Sequence, residues 1–67
     1  MITKSQLCER IKMSRSTLYR RMRAFLPKEK KYLIKSKTLM SSDARFILYN
    51  LGYEEKEVER FVESLFE

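Results

Sequence analysis

A chain of 67 residues, 43% of them hydrophobic and 36% charged, has the length of one small domain, which buries only about 60% of the surface that its unfolded form exposes. One cysteine and no histidine provide neither an internal disulfide nor a zinc-ligand set, a single glycine excludes Gly-rich phosphate loops, and no apolar run nears the ~18 residues of a membrane span. The formal charge of +6 favours a polyanionic partner, and it is unevenly spread: residues 1–38 carry twelve Lys+Arg against two Asp+Glu, net +10, whereas residues 39–67 carry three against seven, net −4. The first half is therefore expected to face phosphate and the second to pack or to meet another protein. A cytoplasmic location is expected, with no cofactor, no metal, no small-molecule ligand and no membrane association.

The first helix has a marked beginning. Thr3 and Gln6 have the T-x-x-Q spacing of a capping box, and Ile2 and Leu7 flank it as a hydrophobic staple. Leu7 and Ile11 continue the buried stripe. Cys8, beside that stripe, reads as a small packing residue rather than a reactive thiol.

The second helix repeats the grammar, with Ser14 as N-cap and Met13 and Leu18 as the staple pair. Pro27 makes continuation past Phe25 unfavourable, so the helix is expected from Arg15 to Phe25. Leu18, Met22 and Phe25 fall within about 60° of arc at 3.6 residues per turn, and Ser16, Arg20 and Arg23 point the opposite way. A helix held by one face and offering a small residue and two guanidinium groups on the other is shaped for the DNA major groove. Arg15 to Arg23 contains four arginines and no acid, whereas a merely solvated face mixes signs. Only Lys12 and Met13 separate the two helices, so the chain must reverse sharply. That puts Lys12 near the left-handed region at a cost of about 1–2 kcal/mol, where glycine is the usual choice.

The run QLCERIKMSRSTLYRRMRAF, Gln6 to Phe25, resembles the helix-turn-helix of bacterial regulators and mobile-element proteins, including resolvase tails, phage excisionases and mercury-resistance-type activators. The likeness covers about a third of the chain. Cys8 matches the small residue of the family's first helix, Leu7, Ile11, Met13 and Leu18 its buried positions, Lys12 its turn glycine, and Ser14 to Thr17 its SRST run. The resemblance implies base or phosphate contacts from Ser14, Arg15, Ser16, Thr17, Tyr19, Arg20 and Arg23.

Chemistry divides these roles. Arg20 and Arg23, with Ser16, are the candidate base contacts, because a planar guanidinium suits bidentate bonding to guanine. Ser14 and Thr17, at the first turn with its free N–H groups, suit a phosphate, and Arg15 adds charge on the flank. Tyr19 borders both faces, fitting either a phenol–phosphate contact or edge packing.

Lys28 to Lys37 form a basic stretch around Tyr32, Leu33 and Ile34. It reads in two ways: a minimal two-stranded wing, in which residues 32–34 pair with residues 38–40, or an irregular loop pinned by Leu33. Either form offers Lys35 and Lys37 to a phosphate backbone. A third helix, about Ser42 to Leu51, is expected to be capped by Ser41 or Ser42 and closed by Gly52. It carries two apolar stripes, Ala44, Ile47, Leu48 and Leu51 on one side and Phe46, Tyr49 and Tyr53 on the other. A fourth helix, about Glu55 to Phe66 with Val58, Phe61, Val62 and Leu65 as its stripe, covers one of them. The other, Phe46, Tyr49 and Tyr53, is left for a homodimer partner or a larger protein, or for intramolecular packing.

The fold expected is mainly α: four short helices, the first two a helix-turn-helix, in a single domain of residues 1–67. The expected function is double-stranded DNA binding by a small regulator or accessory recombination factor of a phage or mobile element, without catalysis. The rival functions are a protein-interaction module acting through the last two helices, and RNA binding.

Overall fold

The computed structural model describes residues 1–67, and it is mainly helical. A two-residue strand β1 (Ile2–Thr3) leads into helix α1 (Lys4–Ile11) and then α2 (Arg15–Phe25). A 3₁₀ helix (Lys28–Ile34), strand β2 (Thr38–Leu39) and helices α3 (Ser41–Asn50) and α4 (Glu55–Phe66) follow. No helix is long and apolar enough to cross a membrane.

Local chemistry sets the ends of the first two helices. The Thr3 hydroxyl accepts from the Gln6 N–H at 3.1 Å and the Gln6 side-chain carbonyl accepts from the Thr3 N–H at 2.8 Å, closing the capping box in both directions. Lys12 takes φ 59° and ψ 46°, and the next N–H, that of Met13, donates to the Cys8 carbonyl at 3.0 Å. A lysine thus occupies the left-handed turn position. Ser14 caps α2 by accepting from the Thr17 N–H at 3.2 Å. Leu7, Leu18 and Met22 are fully buried where α1 and α2 cross, with Cys8 and Ile11 beside them. Cys8 is the packing residue expected, and burial pushes its thiol pKa up.

Of the two readings of this stretch, the wing does not form: residues 32–34 belong to the 3₁₀ helix, and β2 pairs with β1 instead, antiparallel, with Ile2 opposite Leu39 and Thr3 opposite Thr38. The reason is burial. Ile2 and Leu39 face each other and both enter the core, and the 3₁₀ turn delivers Leu33, 1% exposed, to the same interior. Leu33 does pin the stretch, as the loop reading required, but in regular 3₁₀ form. Two lysines of this stretch serve the fold: Lys31 donates to the Arg23 carbonyl at 2.7 Å, closing the end of α2, and Lys30 lies 5.1 Å from the centre of the Phe46 ring.

Helix α3 begins one residue earlier than expected, and the residue at its N-cap is Met40, not Ser41 or Ser42. Leu39 must reach the core from β2, which leaves Met40 alone between strand and helix. Asp43 compensates by accepting from the Met40 N–H at 3.4 Å. At the other end Gly52, φ 103°, permits the paired closure in which the Tyr53 N–H reaches the Leu48 carbonyl and the Gly52 N–H reaches that of Tyr49.

Helix α4 packs chiefly on α3 and also on α1, burying Val58 and Val62. One core joins all the elements, running from Ile2 and Leu7 through Leu18 and Met22 to Ile47, Leu48 and Val58.

Candidate nucleic-acid interface

Helix α2 is held by one side. Leu18 and Met22 are 0% exposed and Phe25 packs against the core, whereas Ser16, Arg20 and Arg23 are all exposed. The side chains of these three residues make no hydrogen bond or ion pair within the chain; α2 packs against α1 and the 3₁₀ helix, and the acidic α4 packs elsewhere. Arg21 and Ala24 are exposed as well. The outward side of α2 is therefore a cationic surface in water, and its 11 residues span roughly 16 Å at 1.5 Å per residue.

At its N-terminal end the Ser14 hydroxyl donates to the Thr17 hydroxyl at 2.8 Å, so these two candidates hold each other in place. The backbone N–H groups of Arg15 and Ser16 have no partner in the chain. They are the donors of this turn left free for an anion.

Four of the six candidate phosphate residues, Arg15, Tyr19, Lys35 and Lys37, come together along one cleft of about 270 Å³. The other two, Ser14 and Thr17, lie outside that lining. Arg15 and Tyr19 project from α2, while Lys35 and Lys37 arrive from the turn before β2, brought beside the start of α1 by the β1–β2 pairing. The Arg15 guanidinium beside the Tyr19 phenol lowers the tyrosine pKa. Tyr19 is half-buried and lines the open cleft.

Sequence reasoning missed Lys4. It is 2% exposed, its Nζ donates to the Ile34 carbonyl at 2.6 Å, and the same ammonium lies 5.0 Å from the centre of the Tyr19 ring. Desolvation lowers its pKa. The first position of a capped helix ordinarily points to water, so nothing in the local pattern marked this lysine for burial. The signal lay 30 residues away, in the end of the 3₁₀ helix that descends over it.

The second apolar stripe of α3 is largely covered from within. The Tyr53 ring meets Phe61 edge to face with centroids 5.1 Å apart, and Phe46 is half-buried beneath Lys30. Tyr49, 44% exposed, is the member of the trio that stands free. The α4 surface is tied to its neighbours by an Arg45–Glu59 ion pair at 3.0 Å and by Arg10, whose Nε donates to the Ser64 hydroxyl at 2.8 Å and whose guanidinium lies over Phe61.

Compared with known protein families, with curated proteins and with solved structures, the chain matches none. The functional argument rests on the chemistry of these surfaces.

Proposed function

We propose that the chain binds double-stranded DNA, with α2 entering the major groove, and that it acts in the cytoplasm as a small transcriptional regulator or accessory recombination factor of the phage or mobile-element type that the sequence motif resembles. The supporting observation is the two-sided character of α2: one side is locked into the core by Leu18 and Met22, and the other holds Ser16, Arg20 and Arg23 in water without an intramolecular partner. A B-DNA major groove about 12 Å wide admits such a helix, and each bidentate arginine–guanine pair contributes about 1–3 kcal/mol of discrimination. Around the base-reading face, Ser14, Arg15, Thr17, Tyr19, Lys35 and Lys37 supply the phosphate contacts that fix register.

Selection of bound duplexes from a random pool is the direct test. The expected result is an enriched motif whose guanines lose their preference when Arg20 and Arg23 are both replaced by alanine. An inverted repeat with half-sites about 10 bp apart would identify a two-fold dimer on DNA. Failure to enrich any duplex, together with no salt-sensitive complex, overturns the proposal.

RNA binding is the reading to set against it, because Tyr32, 61% exposed within the basic stretch, offers one stacking face. A single-stranded RNA competing more strongly than duplex DNA at fixed salt, and losing affinity on Tyr32→Ala, would favour that alternative.

A further inference from the structure

The cleft between the start of α1, the first turns of α2 and the turn before β2 is lined by four cations, Lys4, Arg15, Lys35 and Lys37, and by no acid. Like charges gathered on one concave surface repel each other, and a low-dielectric wall sharpens the field they create for an incoming anion. Three of the four sit on exposed or flexible stems; Lys4 does not. Its ammonium is buried without any carboxylate partner, since the ion pair in this chain joins Arg45 to Glu59. One of its three N–H donors goes to the Ile34 carbonyl. An unpaired buried ammonium is costly, and a methionine would fill the same space without that cost. The first turn of α1 adds free donors: the Ser5 N–H has no partner in the chain, and its hydroxyl lines the same cleft. With waters occupying about 30 Å³ each, a cleft of about 270 Å³ holds a tetrahedral oxyanion and part of its hydration.

We propose that this cleft seats one phosphodiester group of the DNA backbone, with the Lys4 ammonium and Ser5 at its floor and Arg15, Lys35 and Lys37 at its rim. The proposal rests on the DNA reading of α2 and deepens it. Arg15 and Tyr19 are the chain neighbours of Ser16 and Arg20, so a phosphate held by the first pair sets how far along the groove the second pair reaches. The cleft is a register stop for the reading helix.

Two measurements test it. In the first, inorganic phosphate is titrated into the full chain and amide shifts are followed by NMR; saturable shifts at Ser5, Tyr19 and Ser36 are expected. In the second, the salt dependence of duplex affinity is compared among wild type, Lys4→Met and the double variant Lys35→Ala/Lys37→Ala. Each lost phosphate contact lowers the slope of log K against log salt by about 0.9. Lys4→Met is expected to lose about one such unit. The exposed double variant, which leaves the core untouched, is expected to lose up to the same single unit, because both lysines hold the one phosphate, and it keeps the test valid if Lys4→Met folds poorly.

Unchanged slopes in the double variant and no localised phosphate shifts overturn the cleft assignment, while duplex binding that still depends on Arg20 and Arg23 leaves the DNA reading intact. Localised phosphate shifts without any duplex binding overturn the DNA backbone as the source and leave a site for free phosphate.

Discussion

Helices α2 and α4 are nearly the same length, 11 and 12 residues, and each lays one stripe of side chains into the common core. Their outward sides differ. That of α2 carries four arginines with no acid among them, whereas α4 interleaves Glu55, Glu59 and Glu63 with Lys56 and Arg60 and ties Glu59 to Arg45. Apolar periodicity builds both helices alike, so what distinguishes them is the outward charge: mixed in sign on α4, where Glu59 also has a partner inside the molecule, and wholly positive on α2. A surface with internal partners stabilises the fold modestly. One without them is available to a polyanion.

The comparison breaks first at the buried stripes. Leu18→Ala or Met22→Ala, each at a fully buried site, is expected to destabilise the domain by about 2–5 kcal/mol in urea unfolding followed by circular dichroism. Val58→Ala in α4 removes less volume and should cost less.

The outward sides sharpen it. Alanine at Arg20 plus Arg23 should remove about 1–3 kcal/mol of duplex discrimination per residue while leaving the unfolding midpoint where it was. Glutamine at Glu55 plus Glu63 is expected to leave duplex affinity unchanged or to raise it slightly, because it removes negative charge from the molecule. A loss of discrimination in the glutamate variant rather than the arginine variant would invert the assignment of the two helices.

The turn joining α1 to α2 offers a smaller effect in the opposite direction. Lys12 sits at φ 59°, so Lys12→Gly is expected to stabilise the folded state by up to about 1 kcal/mol, the strain relieved being partly offset by the greater freedom of glycine in the unfolded chain. Differential scanning calorimetry of the two proteins checks the sign.

The pH profile tests the buried end of the basic region. Desolvation holds the Lys4 pKa below 10.5, so the folded protein releases this proton before the unfolded chain does, and the contribution of Lys4 to stability grows as pH rises toward 10.5. Tyr19, its pKa lowered chiefly by Arg15, acts in the same sense, and Cys8, its pKa raised by burial, in the other. Lys4→Met should therefore flatten the alkaline rise in urea unfolding free energy measured between pH 8 and 10.5. The smallest effect is expected from Glu59→Gln, which breaks a solvent-exposed ion pair and should shift the melting temperature little, and less still at high salt.

Much of this molecule is written in local chemistry. The Thr3–Gln6 box, the Ser14 cap, the left-handed Lys12 and the Gly52 closure are decided within six residues of chain, because a helix end needs partners for its free backbone groups and the nearest side chains supply them. The open side of α2 was legible for the same reason: period and charge together mark Ser16, Arg20 and Arg23 as outward. The residues 28–40 were not. Their apolar trio is too short to distinguish strand from turn, and the competing partner for Thr38–Leu39 lay at the other end of the chain.

The sequence by itself determined the ends of α1 and α2, the Gly52 closure of α3 and which side of each α-helix is apolar, since these follow from bonding and periodicity over a few residues. Only the tertiary structure decided that Ile2 meets Leu39, that a 3₁₀ helix covers Lys4, and that cations from three separated segments share one cleft. Those outcomes depend on which distant apolar side chains compete for one small core, and the charged groups go where that packing carries them.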